Sequence, residues 1–185
     1  MAEIKRTREI PVYDNKYLTL FDDEVEFPGG VAGKYVRARW KCAFGVGIVP
    51  ITPQREILLI EQFCYACQRS FLQIPKGMGK PNTPPEQMAA AELREELGAV
   101  CAKLVPMTVL YVDPGFFENP THIFLALDTD IIQAVEHESS EVILGVHRIG
   151  WDEWTSPKTL SRIVDPLTIS SLFLARRYLE TADAE

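Results

Sequence analysis

Hydrophobic and polar positions alternate along residues 17–27 and again along 34–40, with Pro28-Gly29-Gly30 between the two runs. Alternation of period two gives a strand one apolar face, and Pro-Gly turns the chain, so the pattern predicts an antiparallel hairpin. The pattern then changes. Residues 43–51 and 56–62 are apolar almost throughout and are separated by Thr52-Pro53-Gln54-Arg55, as expected of strands covered on both faces. Further strands are predicted over 107–112, 121–127 and 141–149. Helical spacing appears over 84–97, with Ala89, Ala90, Leu93 and Leu97 on one side, and over 167–179, with Leu172, Ala175 and Leu179 in line. Strands mixed with only two substantial helices predict an α/β or α+β sandwich.

Composition sets the scale of that sandwich. The 185 residues are 46% hydrophobic and 24% charged, which suffices for one buried core and is too short for two ordinary domains. The expected organisation is an N-terminal hairpin extension over 1–40 packed on a domain over 41–185. The 19 Lys+Arg against 26 Asp+Glu leave a net charge of −7, and no basic run offers a stripe for a phosphate backbone, so nucleic acid is excluded as a partner. Small phosphate compounds stay open, because a divalent cation can supply the positive charge. No apolar run approaches the roughly 18 residues of a membrane span, and the first ten residues carry charges where a signal peptide would be apolar. The expectation is a cytoplasmic protein with no membrane partner. Cys42, Cys64, Cys67 and Cys101 then read as reduced thiols, and Cys64-x-x-Cys67 lacks the second pair or nearby His that would complete a zinc site.

The stretch from Gly77 to Gly98 carries the candidate chemistry. Thr83 followed three residues later by Glu86 reads as a capping box, Pro84 suits the first helical position, and Gly98 suits the left-handed residue that ends a helix. At about 100° per residue, Glu92, Glu95 and Glu96 share one flank. Only Arg94 within the helix opposes their charge, Glu92 and Glu96 repel at i,i+4, and negative charge near a helix C-terminus opposes the macrodipole. A solvated acidic face is the plain reading. A hard divalent cation taking oxygen ligands from the cluster is the chemical one.

This segment resembles the signature of the Nudix hydrolases, G-x5-E-x7-R-E-U-x-E-E-x-G-U with U aliphatic. Gly77, Glu92, Leu93, Glu95, Glu96 and Gly98 match without gaps, and Ala99 fills the final small apolar position. Thr83 stands where the first Glu is expected and Ala91 where the Arg is expected. Pro75-Lys76, Gln62 and the Pro114-Gly115 turn ahead of Glu118 also resemble this superfamily, closest to its ADP-ribose and ADP-sugar pyrophosphatase branch. Within that branch Cys64 replaces a usual Arg, and Gln73-Ile74-Pro75-Lys76-Gly77 departs from Glu-Leu-Pro-Ala-Gly.

The resemblance implies a Nudix-type α/β/α sandwich with a mixed sheet, and metal-dependent hydrolysis of the diphosphate linkage of a nucleoside diphosphate joined to another moiety, an ADP-sugar such as ADP-ribose. The implied cofactor is Mg²⁺ or Mn²⁺, held by Glu92, Glu96 and the backbone carbonyl of Lys76, with Glu95 assisting catalysis and Gly77 and Gly98 as structural members of the box. Glu141, with Glu136 and Glu138 in the same stretch, is the implied general base. Tyr17 and Tyr35 are implied to hold the nucleobase, Arg37 and Arg39 to meet phosphate, and Glu118 to contact the substrate, in a homodimer formed through the N-terminal region. The alternative is a catalytically silent Nudix-fold module that binds a nucleotide or a protein.

Overall fold

A computed structural model of the protein describes residues 3–133 and 142–182. The chain opens with β1 (Lys5–Arg8), β2 (Pro11–Asp14), β3 (Leu18–Phe27) and β4 (Val31–Trp40). β3 and β4 pair without a slip from Leu18 opposite Trp40 to Phe27 opposite Val31. Their turn has Pro28 followed by Gly29 at φ 90°, a left-handed value that suits glycine, and the Gly30 N–H donates to the Phe27 carbonyl. β1 and β2 line the other edge of β3. These two strands were not predicted, since every residue in them is exposed and they carry no apolar alternation.

The remainder comprises β5 (Gly45–Pro50), β6 (Glu56–Cys64), β7 (Arg69–Gln73), β8 (Lys76–Met78), α1 (Pro85–Leu97), β9 (Ala99–Leu110), β10 (Thr121–Ile131), β11 (Ile143–Gly150), α2 (Pro157–Leu160) and α3 (Pro166–Ala182). β5 and β10 pair in parallel inside the order β8-β5-β10-β9, and β11-β6-β7 form an antiparallel sheet. β9 begins at Ala99, well before the predicted 107. Pro106, which has no N–H for the ladder, sits beside the register shift in its pairing with β10, the place where a strand tolerates proline.

The continuous apolar runs serve two cores. Val46, Ile48, Leu58, Ile60, Phe124 and Ala126 pack with Met88, Ala89, Leu93 and Leu97 of α1. The intervening Val49, Ile57, Leu59 and Leu125 pack with Leu172 and Ala175 of α3, together with Trp151 and Trp154. Successive side chains on a strand point to opposite faces, so one run feeds both layers. Each such fully buried aliphatic side chain contributes roughly 1.5–3 kcal/mol relative to exposure. The result is an α/β/α sandwich with a mixed sheet. Among the described residues no helix is long and apolar enough to cross a membrane.

The start of α1 corrects one expectation. Pro84 is extended (φ −60°, ψ 148°) and stands at the N-cap, with Pro85 as the first helical residue and no side-chain capping bond. A residue before proline is pushed out of helical geometry, and in Thr83-Pro84-Pro85 this acts twice. Thr83 therefore does not close a capping box, and its hydroxyl donates to the Pro81 carbonyl at 3.5 Å. At the other end Gly98 adopts φ 60° and its N–H returns to Arg94 and Leu93 carbonyls, as a helix-ending glycine should.

Candidate active site

The three glutamates of α1 separate in their surroundings. Glu92 and Glu96 are 7% and 1% exposed, on the side of the helix that packs inward with Leu93 and Leu97. Glu95 is on the open side, its side chain 44% exposed and 3.8 Å from the Lys80 ammonium. Burying two carboxylates together is costly unless something specific compensates each charge. Here both face the segment Ile74–Gly77.

That segment is held from several directions. The Lys76 N–H donates to Glu96 Oε2 at 2.9 Å, and the Ile48 N–H donates to the Pro75 carbonyl at 2.9 Å. Lys76 and Gly77 pair with Gly47 and Val46 of β5. A Cβ on Gly77 would stand 1.8 Å from Glu92 Oε1 and 2.7 Å from Oε2. The Glu92 carboxyl thus lies in the space that any side chain at 77 would fill. The Gly77 backbone itself is ordinary extended strand, so the glycine is required by this close approach and not by its dihedral angles.

A divalent metal fits this donor set. Two carboxylates and one backbone carbonyl are hard oxygen ligands suited to Mg²⁺ or Mn²⁺, and the missing Cβ at Gly77 leaves room for the Glu92 carboxyl beside the strand. Among the described residues no group of three or more His, Cys, Asp or Glu side chains is assembled for a metal, so an ion here would need the Lys76 carbonyl and solvent or substrate oxygens as further ligands. Glu141, Glu136 and Glu138 lie outside the described residues, as does His137.

The residues expected on the substrate side gather around β4 and the loop after β9. Arg37 bonds Asp23 at 2.7 Å and also pairs with Glu9 and Glu118, while its guanidinium lies 3.9 Å above the Phe21 ring centroid. Arg39 is 3.3 Å from Glu118 and 3.7 Å from Glu9, and its side chain stays 42% exposed. Tyr35 donates its hydroxyl to the Gly115 carbonyl at 3.0 Å. The loop is sealed to β4 by the Ala38 N–H donating to the Phe116 carbonyl at 2.8 Å and by Trp40 stacked on Phe117. Tyr17 is exposed, with the Lys16 ammonium 4.6 Å from its ring centroid.

Arg37 carries a stability prediction. Asp23 is almost wholly buried. Burial, the largest influence, pushes its carboxyl up, but the Ile10 N–H, the Arg37 bond and charge and the Arg6 charge together outweigh it and hold the group below 3.8. Arg37→Leu is expected to lower unfolding free energy by about 3 kcal/mol at pH 7, because it strands a buried carboxylate. A folded-state pKa below the unfolded one stabilises above the unfolded value, and that contribution is lost as pH falls through the folded value. The gap between wild type and variant should therefore narrow on acidification below pH 3.8. Urea unfolding at both conditions checks it, and an unchanged gap would count against the pair.

Sequence reading missed the partners Glu9 and Asp23, and also Asp165 and Thr168 at the start of α3. Asp165-Pro166-Leu167-Thr168 carries a visible helix-start signal. Its link to Ile74, 94 residues away, has no local signature.

A sandwich of this topology, with a glutamate-bearing helix packed against the Lys76-Gly77 step of β8, now has a family. Residues 43–165 match the NUDIX domain, and the chain belongs to that family, whose hydrolases generally use divalent metal ions. It is 30% identical over 131 residues to the ADP-ribose pyrophosphatase of Bacillus subtilis (strain 168), covering 71% of this chain and 70% of the relative. It is 24% identical over 184 residues to the methanol dehydrogenase activator of Bacillus methanolicus, covering 100% of this chain and 96% of that one. A crystal structure of an ADP compounds hydrolase superposes with a TM-score of 0.81 at 23% identity, over 98% of this chain and 97% of the other, which shows the shared fold.

Proposed function

We propose that this protein is a divalent-metal-dependent pyrophosphatase that hydrolyses the diphosphate linkage of a nucleoside diphosphate joined to another moiety, with ADP-ribose as the leading substrate. The observation that carries the reading is the pair of buried carboxylates, Glu92 and Glu96, packed on the short strand β8, whose glycine leaves room for one of them. Likeness to an ADP-ribose pyrophosphatase supports the substrate class. Mg²⁺ or Mn²⁺, when bound, neutralises phosphate charge and acidifies a bound water. Glu92, Glu96 and the Lys76 carbonyl hold the ion, Glu95 tunes the rim of the site through Lys80, and Glu141 takes the proton of the attacking water. Arg39 is the freer of the two arginines to meet phosphate, since Arg37 is enclosed by three acids. Tyr17 and Tyr35 hold the base, and Glu118 contacts the substrate from the docked loop.

The same reading takes 1–40 as an extension on the domain of 41–185, working in the cytoplasm as a homodimer through this region. Exposed Val12, Tyr13, Val31 and Val36 on the N-terminal strands support the dimer. The net charge of −7 speaks against nucleic acid as a partner. A second reading, a module that acts by binding a nucleotide or protein partner, draws support from the activator relative and from Thr83 and Ala91 in the box. A panel of ADP-ribose and other nucleotide sugars, assayed with Mg²⁺ and with EDTA, separates the two. The expected result is AMP and ribose 5-phosphate in equal amounts from ADP-ribose with Mg²⁺, and none with EDTA. Turnover no greater than that of Glu96→Gln for every compound would favour the binding module.

A further inference from the structure

The segment Ile74–Gly77 is gripped by α1 through Glu96, but a second grip comes from the opposite layer. Thr168, in the first turn of α3, is fully buried. Its hydroxyl donates to Asp165 Oδ2 at 2.7 Å, and its backbone N–H donates to the same oxygen at 3.0 Å. With the hydroxyl proton committed to Asp165, the Thr168 oxygen presents a lone pair outward, and the Ile74 N–H donates to it at 3.1 Å. Asp165 Oδ2 also lies 3.6 Å from the Lys76 ammonium. One carboxylate thus orients the hydroxyl that fixes Ile74 and attracts the side chain of Lys76, two residues further on.

Capping alone does not require this arrangement. Asp165 at the helix start would satisfy the Thr168 N–H whatever lay beyond it. The hydroxyl bond to Ile74 is different: it crosses from α3 to the strand end that leads into β8, and it satisfies a buried N–H that has left the β6–β7 ladder. Glu96 then takes the N–H of Lys76 from the other side. The peptide run from Ile74 to Lys76 is clamped between the two helices, and the Lys76 carbonyl follows directly from it.

We infer that Asp165 and Thr168 are positioning residues that set the Lys76 carbonyl for metal binding. The inference rests on the metal-site reading given above. Groups hydrogen-bonded to a ligand, without touching the metal, commonly govern affinity by 10–100-fold. The Asp165–Thr168 pair acts one step further out, through the backbone, so its effect belongs at the lower end.

The test uses Mn²⁺ binding to the substrate-free protein, followed by electron paramagnetic resonance, with hydrogen exchange of the peptide covering residues 74–77. Thr168→Val removes the acceptor with little change of shape, Thr168→Ser restores it, and Asp165→Asn keeps a capping oxygen while discarding the charge that faces Lys76. Thr168→Val and Asp165→Asn are each expected to weaken Mn²⁺ binding about tenfold and to speed exchange at 74–77, with Thr168→Ser within about twofold of wild type. Should Thr168→Val fail to fold, Asp165→Asn carries the test, since it leaves the buried hydroxyl in place. Wild-type Mn²⁺ affinity together with wild-type exchange in Asp165→Asn would overturn the inference. Glu96→Gln run alongside keeps the two claims apart: unchanged Mn²⁺ affinity in that variant removes the metal site itself. Exchange at 74–77 then decides the clamp by itself, faster exchange in Thr168→Val upholding it and unchanged exchange overturning it.

Discussion

Glu96→Gln is expected to lower kcat on ADP-ribose about thousandfold with Mg²⁺, while the protein still unfolds cooperatively. Glu96 is 1% exposed and accepts the Lys76 N–H at 2.9 Å. Glutamine has nearly the same shape and keeps one oxygen for that bond, so the clamp on Lys76 survives. What disappears is the negative charge of a proposed ligand, and with it the attraction that would hold a divalent ion beside the diphosphate. Lewis-acid and water-activating effects of such an ion are worth several kcal/mol, and each 1.36 kcal/mol is tenfold in rate, so a loss of about 4 kcal/mol corresponds to about a thousandfold. The new amide N–H₂ is buried and costs about 1–3 kcal/mol of stability if it finds no acceptor. Mn²⁺ affinity should fall together with kcat. Activity within about fivefold of wild type would remove Glu96 from the metal site, since that is less than 1 kcal/mol on this scale.

How much of this was readable in the chain depends on whether the cause is local. The apolar runs of β5, β6 and β10 marked strands because both faces of each are covered, and the structure divides their residues between the two cores. β7 and β8 were not foreseen: they are short, and their pairing depends on β6 and β5. At the start of α1, Thr83 and Glu86 have capping-box spacing, but two successive prolines override it. The candidate site shows the same division. Helical spacing brought Glu92, Glu95 and Glu96 to one flank, but could not say which carboxylates face inward. That is decided by β8 at Lys76 and Gly77, which is held by β5 and meets Glu92 and Glu96 while Glu95 turns out to Lys80. In the sequence Arg37 stands among other cations, Lys34, Arg39 and Lys41, with no acid nearby. Its enclosure by Glu9, Asp23 and Glu118 joins segments as far as 81 residues apart, and no local pattern encodes it.

Gly77→Ala should be nearly as damaging as loss of the carboxylate, about a hundredfold in kcat with a parallel loss of Mn²⁺ affinity. The added methyl would sit 1.8 Å from Glu92 Oε1 and 2.1 Å from Cδ, so the carboxyl group and the methyl cannot share the space. Two adjustments are available. Glu92 can swing its carboxyl away, which is hindered because the side chain is 7% exposed on a packed helix face. Alternatively β8 can retreat from α1, which strains its pairing with β5 and the Lys76 bond to Glu96. Either route moves a proposed ligand by an ångström or more, and a displacement of about 1 Å in a reacting constellation costs about a hundredfold. Overpacking of this kind lowers stability by about 1–3 kcal/mol, so the variant should fold. Gly145→Ala in β11 is the matched control, because a Cβ there meets nothing within 4 Å. Normal Mn²⁺ affinity in Gly77→Ala, with the control also normal, would mean that Glu92 packs against β8 without serving a metal. A selective loss at Gly77 would identify the missing methyl as the feature that lets strand and carboxylate share one ion.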